Sequence, residues 1–213
     1  MTERIPTAIL ISGRGSNMKA LIAAASQPDY AADIRLVLSD KPEAAGLATA
    51  HESGLTAQAI DFRNFSGRPA FEAALDSRLR AAGVELLCLA GFMRVLSAEF
   101  VGRWAGRILN IHPSLLPDLR GLHTHERALA EGRAEHGCTV HYVSAELDAG
   151  PIIAQARVPV LPGDDVDSLA ARVLVEEHRI YPLALNAVAC ALARRAPAQA
   201  SRPWRGGEIV SES

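Results

Sequence analysis

Ala8-Ile9-Leu10-Ile11 runs into Ser12-Gly13-Arg14-Gly15-Ser16-Asn17, and an Ala/Leu/Ile-rich stretch opens at Met18. An unbroken apolar run is what a strand buried on both faces requires. The two glycines allow a tight turn, and a helix starting near Met18 would aim its free N–H groups back at that turn. Strand, turn and helix in this order make the opening unit of a parallel sheet. Outward from it the same alternation recurs. Ile34 to Leu38 reads as a second buried strand, and Ala44 to Ser53 as an alanine-rich helix closed by Gly54. Arg68 to Ala82 is helical, with Phe71, Leu75 and Leu79 on one stripe and Gly83 after it. Glu85 to Ala90 is a third buried strand, and Ser97 is placed to cap a helix through Trp104.

Past Pro117 the pattern changes. Thr139 to Val143 and Ile152 to Val160 look like two β segments around a turn. Asp167 to Ala193 carries a long helical period, which Pro182 is expected to break or kink. The expected fold class is α/β: a mostly parallel, doubly wound sheet with an antiparallel C-terminal part. Residues 1–193 are expected to form one domain. The stretch 194–213, rich in Ala, Pro, Arg, Gly and Ser, is expected to be a loosely held tail.

Composition narrows the function classes. The chain has 213 residues, 49% hydrophobic and 22% charged, as in an ordinary globular domain. A net charge of -2 offers no basic excess to neutralise phosphates, so nucleic acid is not an expected partner. Cys88, Cys138 and Cys190 are far apart and set among apolar residues, which suits reduced thiols better than a disulfide framework or zinc site. The first apolar run is only a strand long, and Leu183 to Ala193 is too short to span a bilayer. A cytoplasmic, membrane-free protein is the expectation.

Four segments carry candidate chemistry. Arg107-Ile108-Leu109 leads into Asn110-Ile111-His112-Pro113-Ser114, so Asn110 and His112 fall on one face of a strand that Pro113 ends. A carboxamide and an imidazole there suit a carbonyl that becomes an oxyanion, though a polar pair closing a strand is the plain alternative. Gly13 to Asn17 can receive an anion at a helix start, with Ser16 or Asn17 donating to it or capping the helix. It matches neither the nucleotide P-loop nor a full dinucleotide fingerprint, and a simple capped turn is equally open. Phe92-Met93-Arg94-Val95-Leu96 follows the third buried strand, where open α/β sheets bind ligands; core packing is its other reading. Asp148, in Leu147-Asp148-Ala149-Gly150-Pro151, is either a turn former or, beside His112, a carboxylate that favours the imidazolium. His123-Thr124-His125-Glu126 lacks a third placed ligand, and no metal is expected there.

In order and spacing, Ser-Gly-x-Gly-Ser-Asn, Phe-Met-Arg-Val-Leu, Asn-Ile-His-Pro-Ser-Leu-Leu-Pro and Leu-Asp-x-Gly-Pro together resemble the folate-dependent phosphoribosylglycinamide formyltransferases. The resemblance runs from about Ile9 to about Pro182. It implies formyl transfer from (6R)-10-formyltetrahydrofolate to the amine of 5'-phosphoribosylglycinamide in purine synthesis, with no metal. It further implies Asn110, His112 and Asp148 as catalytic residues, and Gly15, Ser16, Asn17 and Glu177 around the phosphoribosyl substrate. Arg68, Met93, Arg94, Val95 and Leu96, with Asn110, would receive the folate. On this basis 1–105 is a phosphate-binding half and 106–193 a folate and catalytic half. The partners expected are small molecules, with a monomer or weak homodimer acting in the cytoplasm.

Two positions depart from the resemblance: Leu119 stands where an aromatic residue is usual, and Ala145 where an acidic one is common. A 10-formyltetrahydrofolate hydrolase shares the three catalytic residues but usually carries an extra N-terminal domain, for which a first strand starting at about Thr7 leaves no room. Methionyl-tRNA formyltransferase adds a C-terminal RNA-binding domain that a tail from Arg194 does not supply. A binding protein without catalysis would tolerate loss of one of the three, and all are present.

Overall fold

A computed structural model describes residues 4–194. Seven strands form one sheet: β1 (Ile5–Ile11), β2 (Ala32–Ser39), β3 (Thr56–Ala59), β4 (Leu86–Leu89), β5 (Ile108–His112), β6 (Glu135–Tyr142) and β7 (Ile152–Pro159), in spatial order β3-β2-β1-β4-β5-β6-β7. The first five run parallel, and β6 and β7 are antiparallel. The parallel strands therefore all end at one edge of the sheet, where the segments after β1, β4 and β5 meet. The order reverses between β1 and β4, the place where such sheets leave a crevice.

Strand alternation sorts two cores. Ile9, Ile11, Cys88, Leu109 and Ile111 face one side, beneath α1 (Ser16–Ala25) and α6 (Val166–Ala193). Ala8, Leu10, Leu87, Leu89 and Ile108 face the other, beneath α3 (Arg68–Ala81) and α4 (Ala98–Arg103). Asn110 and His112 share the second face with Ile108, as the period of two demands. Ser97 caps α4 as its sequence suggests, its Oγ accepting from Phe100 N.

The expected α/β architecture is present, with five local differences. β1 starts at Ile5 and not Thr7, and β6 starts at Glu135, four residues before Thr139. β3 and the helix α5 (Thr124–Ala130) are additions. α6 runs through Pro182 without a break. The ring removes one backbone donor, and packing outweighs that loss. Tyr181, fully buried, donates from its hydroxyl to the carbonyls of Leu89 and Leu109 at 3.0 and 3.2 Å. Tyr30 donates to the Pro182 carbonyl at 2.7 Å, and Asn186 accepts from Ala31 N. A capping box between Asp165 and Ser168 fixes the start of α6. Of the tail, all but Arg194 lies outside the described residues. Among the described residues no helix is long and apolar enough to cross a membrane. Cys88 and Cys138 are buried and Cys190 half-buried, all unpaired, and burial pushes the first two thiols up to about 12.

His125 on α5 and His136 on β6 lie edge to face with Nδ1 and Nε2 3.1 Å apart, so the pair suits at most one added proton. Burial, then the His125 ring, holds His136 down at about 4 against an ordinary 6.5. The unfolded chain takes up this proton first as the pH falls. Stability is therefore complete above about 6.5 and is lost as the pH falls from there to about 4. The loss is on the order of 3 kcal/mol at most. Urea unfolding between pH 7.5 and 4.5 checks this: His136→Gln flattens the slope, and an unchanged slope would exclude the pair as its source.

Candidate active site

Asn110 and His112 end β5, with His141 opposite Asn110 on β6. The loop from Val143 to Pro151 brings Asp148 to the same place. Asp148 adopts a left-handed φ of 49°, a region that aspartate tolerates better than most residues. One carboxylate oxygen accepts from Gly121 N at 2.9 Å and lies 3.4 Å from His112 Nδ1. The other lies 3.7 Å from His141 Nε2. The structure thus brings together the three residues that the sequence singles out.

Hydrogen positions follow from which partners can only accept. His141 Nδ1 is 2.9 Å from the Tyr142 carbonyl, so Nδ1 carries the hydrogen. Its Nε2 is left as an acceptor and takes an N–H from Asn110 Nδ2 at 3.1 Å. Burial lowers the His141 pKa and so favours this neutral form. One amide hydrogen of Asn110 is held there, and the second remains available to a ligand oxygen. His112 Nε2 lies 3.0 Å from the Leu119 carbonyl and therefore donates to it. With Nδ1 facing Asp148, both ring nitrogens of His112 are occupied. Donation from His112 to a ligand requires the Leu119 carbonyl or Asp148 to yield its place.

The glycine turn after β1 lies at the same sheet edge. Gly15, at φ 73°, is the N-terminal cap residue of α1, and no side chain caps this helix, so Ser16 and Asn17 do not serve as caps. Asn17 is turned instead to α6, where its Nδ2 donates to Glu177 Oε2 at 2.6 Å across 160 residues of sequence. Among the described residues its own Oδ1 is buried without a partner, and burial raises the Glu177 pKa. Gly46, in α2 (Ala45–Glu52), backs the turn: its N–H donates to Gly13 O at 3.0 Å, and a Cβ there would meet Ile11 Cδ1 at 2.6 Å.

Between β4 and α4, Met93, Arg94, Val95 and Leu96 line a cavity of about 260 Å³ with Phe62, Phe71, Glu72 and the exposed Arg68. Met93 and Val95 are among the most exposed large apolar side chains, at 67% and 58%. His141, Leu119 and Gly121 are the site residues that sequence reasoning missed. The cross-strand pairing of β5 with β6 was the available signal for His141: a histidine facing a candidate asparagine shares its face. In the His123–Glu126 segment, His123 pairs with Glu126 and His125 turns to His136. Among the described residues no three His, Cys, Asp or Glu side chains are grouped to hold a metal ion.

A family described as formyl transferase matches residues 5–185. The phosphoribosylglycinamide formyltransferase of Escherichia coli is 46% identical over 178 residues, which is 84% of each chain. A crystal structure of phosphoribosylglycinamide formyltransferase from Brucella melitensis superposes with a TM-score of 0.85 at 52% identity, over 88% of this chain and 96% of that one. The trifunctional purine biosynthetic protein adenosine-3 of Drosophila melanogaster is 50% identical over 185 residues; the chain spans 14% of its length. The human protein of the same name is spanned over 18% of its length. With the match extending from the first strand into α6, the chain belongs to the formyl transferase family.

Proposed function

We propose that the chain transfers the formyl group of (6R)-10-formyltetrahydrofolate to the amine of 5'-phosphoribosylglycinamide, giving formyl-phosphoribosylglycinamide and tetrahydrofolate in purine biosynthesis. The observation that carries this reading is the Asn110 amide, pinned by His141 with one N–H to spare, beside His112 and Asp148. The amine attacks the formyl carbon and pushes the carbonyl electrons onto oxygen. The free Asn110 N–H stabilises that oxyanion, and His112 joins it on exchanging its bond to Leu119. Collapse expels the folate nitrogen, which takes up the proton that the amine gives up. The Asp148 carboxylate faces any positive charge that develops on His112 during this transfer.

Gly15, Ser16, Asn17 and Glu177 would hold the phosphoribosyl substrate. A helix start suits its phosphate, and the Asn17–Glu177 pair presents polar groups for its hydroxyls. Arg68 and Met93 to Leu96 would hold the folate, with the cavity taking a ring and Arg68 its carboxylate end. Both substrates would then meet along one sheet edge, within a single domain over 1–193, in a cytoplasmic monomer or weak homodimer. The enzyme would need no metal, nucleic acid or membrane.

The test is to follow loss of the formyl group from 10-formyltetrahydrofolate with and without the ribonucleotide. Loss that requires the ribonucleotide, with formylated product, is the expected result. Equal loss without it would mark a hydrolase, and no loss in either case would overturn catalysis altogether.

The backing of the glycine turn gives a sharper expectation. In Gly46→Ala the new methyl pushes Ile11 and the Gly13 carbonyl aside. KM for the ribonucleotide rises about tenfold while KM for the folate stays near its starting value. Steady-state kinetics with each substrate varied in turn decide it.

A further inference from the structure

The segment between β4 and α4 has no strand or helix of its own, yet it must present a defined wall to the cavity. Its far end is fixed at Ser97, whose N–H donates to Glu72 Oε1 at 2.6 Å. Its near end is tied by Ser12 N, which donates to Gly91 O at 3.1 Å, and beyond Gly91 it is placed through Asp40, a residue that neither the sequence motifs nor the reaction requires. Asp40 follows β2 at the crevice edge and is 2% exposed. A carboxylate so buried needs compensating partners. The Ser12 hydroxyl donates to its Oδ1 at 2.5 Å, and the Arg94 guanidinium supplies the charge, with Nε 2.6 Å from Oδ2. This second contact is an ion pair and not an aligned hydrogen bond, because among the described residues the Nε–H has no acceptor in line.

Two consecutive residues of the cavity wall are set by this one side chain. The single hydrogen of Ser12 Oγ is committed to Asp40, which turns the hydroxyl lone pairs outward, and one of them accepts from Met93 N at 2.9 Å. Arg94, held at the carboxylate, lays its guanidinium 3.6 Å over the centre of the Phe62 ring, another part of the same wall. Phe62 N in turn approaches the Asp40 carbonyl at 3.4 Å. We propose that Asp40 is a positioning residue for the formyl donor: its buried carboxylate fixes the 93–96 segment through Ser12 and Arg94 and so sets folate affinity. This rests on the reading of that cavity as the folate site.

Asp40→Asn keeps an oxygen for Ser12 but removes the charge and sets an amide N–H₂ against the Arg94 donors. KM for 10-formyltetrahydrofolate is expected to rise about tenfold. Turnover should stay within about threefold, and KM for the ribonucleotide should not move. Ser12→Ala, which removes both the link to Met93 and the hydroxyl donor to Asp40 but leaves the Asp40–Arg94 ion pair, should shift the same constant in the same direction, and it serves where Asp40→Asn folds poorly. Calorimetric titration with tetrahydrofolate reads the pocket without turnover, and both variants should weaken this binding by the factor seen in KM. A parallel change in both KM values and in turnover, or unchanged tetrahydrofolate binding, would overturn the role of Asp40. If the unaltered protein binds tetrahydrofolate but transfers no formyl group, and Asp40→Asn weakens that binding, the proposed reaction fails while the positioning role stands. No tetrahydrofolate binding by the unaltered protein would overturn both.

Discussion

Asn110→Ala is expected to lower turnover by about 10²–10³ while the protein keeps its fold. The amide is a half-exposed side chain at the end of β5, so its removal leaves no sizeable cavity in either core. What is lost is a donor whose direction is fixed before substrate arrives, since His141 holds one hydrogen of the same amide. An aligned donor costs nothing to orient when charge develops on the formyl oxygen. Asn110→Asp should fare no better, because a carboxylate has no hydrogen for the oxyanion and adds repulsion. Single-turnover kinetics beside thermal melts make the comparison. Full activity in Asn110→Ala would remove the oxyanion assignment, and a collapse of the melting temperature would show the residue to be structural.

Gly150→Ala should be nearly as damaging by a different route. A Cβ at Gly150 would lie 1.8 Å from the Tyr142 carbonyl oxygen and 2.8 Å from its carbon, inside the backbone of the adjoining strand. No rotamer relieves that overlap, so the β6–β7 hairpin must open at its loop. Asp148 sits two residues away and holds Gly121 and faces His112 from that loop. A displacement of about 1 Å at such a carboxylate can cost about a hundredfold in rate. The overlap itself should destabilise the fold by about 1–3 kcal/mol. Gly102→Ala is the control: it lies in α4 with nothing within 4 Å of its Cβ, and should be neutral or slightly stabilising. Turnover and urea midpoints of the two variants, measured together, separate the effect of position from the effect of adding a methyl.

The parallel sheet could be read from the sequence because its strands are unmixed apolar runs divided by helices with glycine ends. β3 escaped notice because Thr56-Ala57-Gln58-Ala59 has neither strong β formers nor clear alternation; it is an edge strand stabilised by pairing with β2. The first half of β6 was hidden by Gly137, which breaks the pattern because the Ala156 carbonyl approaches too closely for any side chain. α5 is a seven-residue helix with its cap position at His123, in a left-handed conformation that sequence does not announce. At the site, Asn110, His112 and Asp148 were legible as motifs. In the sequence Leu119 stands out only as a departure from the family, yet its backbone carbonyl is what occupies His112. A contact made by the main chain leaves no mark in residue identity.

Glu177 and Tyr181 stand one turn apart on α6, about 6 Å along its axis. The first reaches the glycine turn after β1 through Asn17, and the second reaches the backbone of β4 and β5, whose ends carry the other two parts of the site. α6 therefore works as a gauge block. The spacing between the glycine turn and the strands β4 and β5 is referred to a single rigid turn, not accumulated through the loops between them. Inserting one residue between Glu177 and Tyr181 would therefore misalign both ends at once.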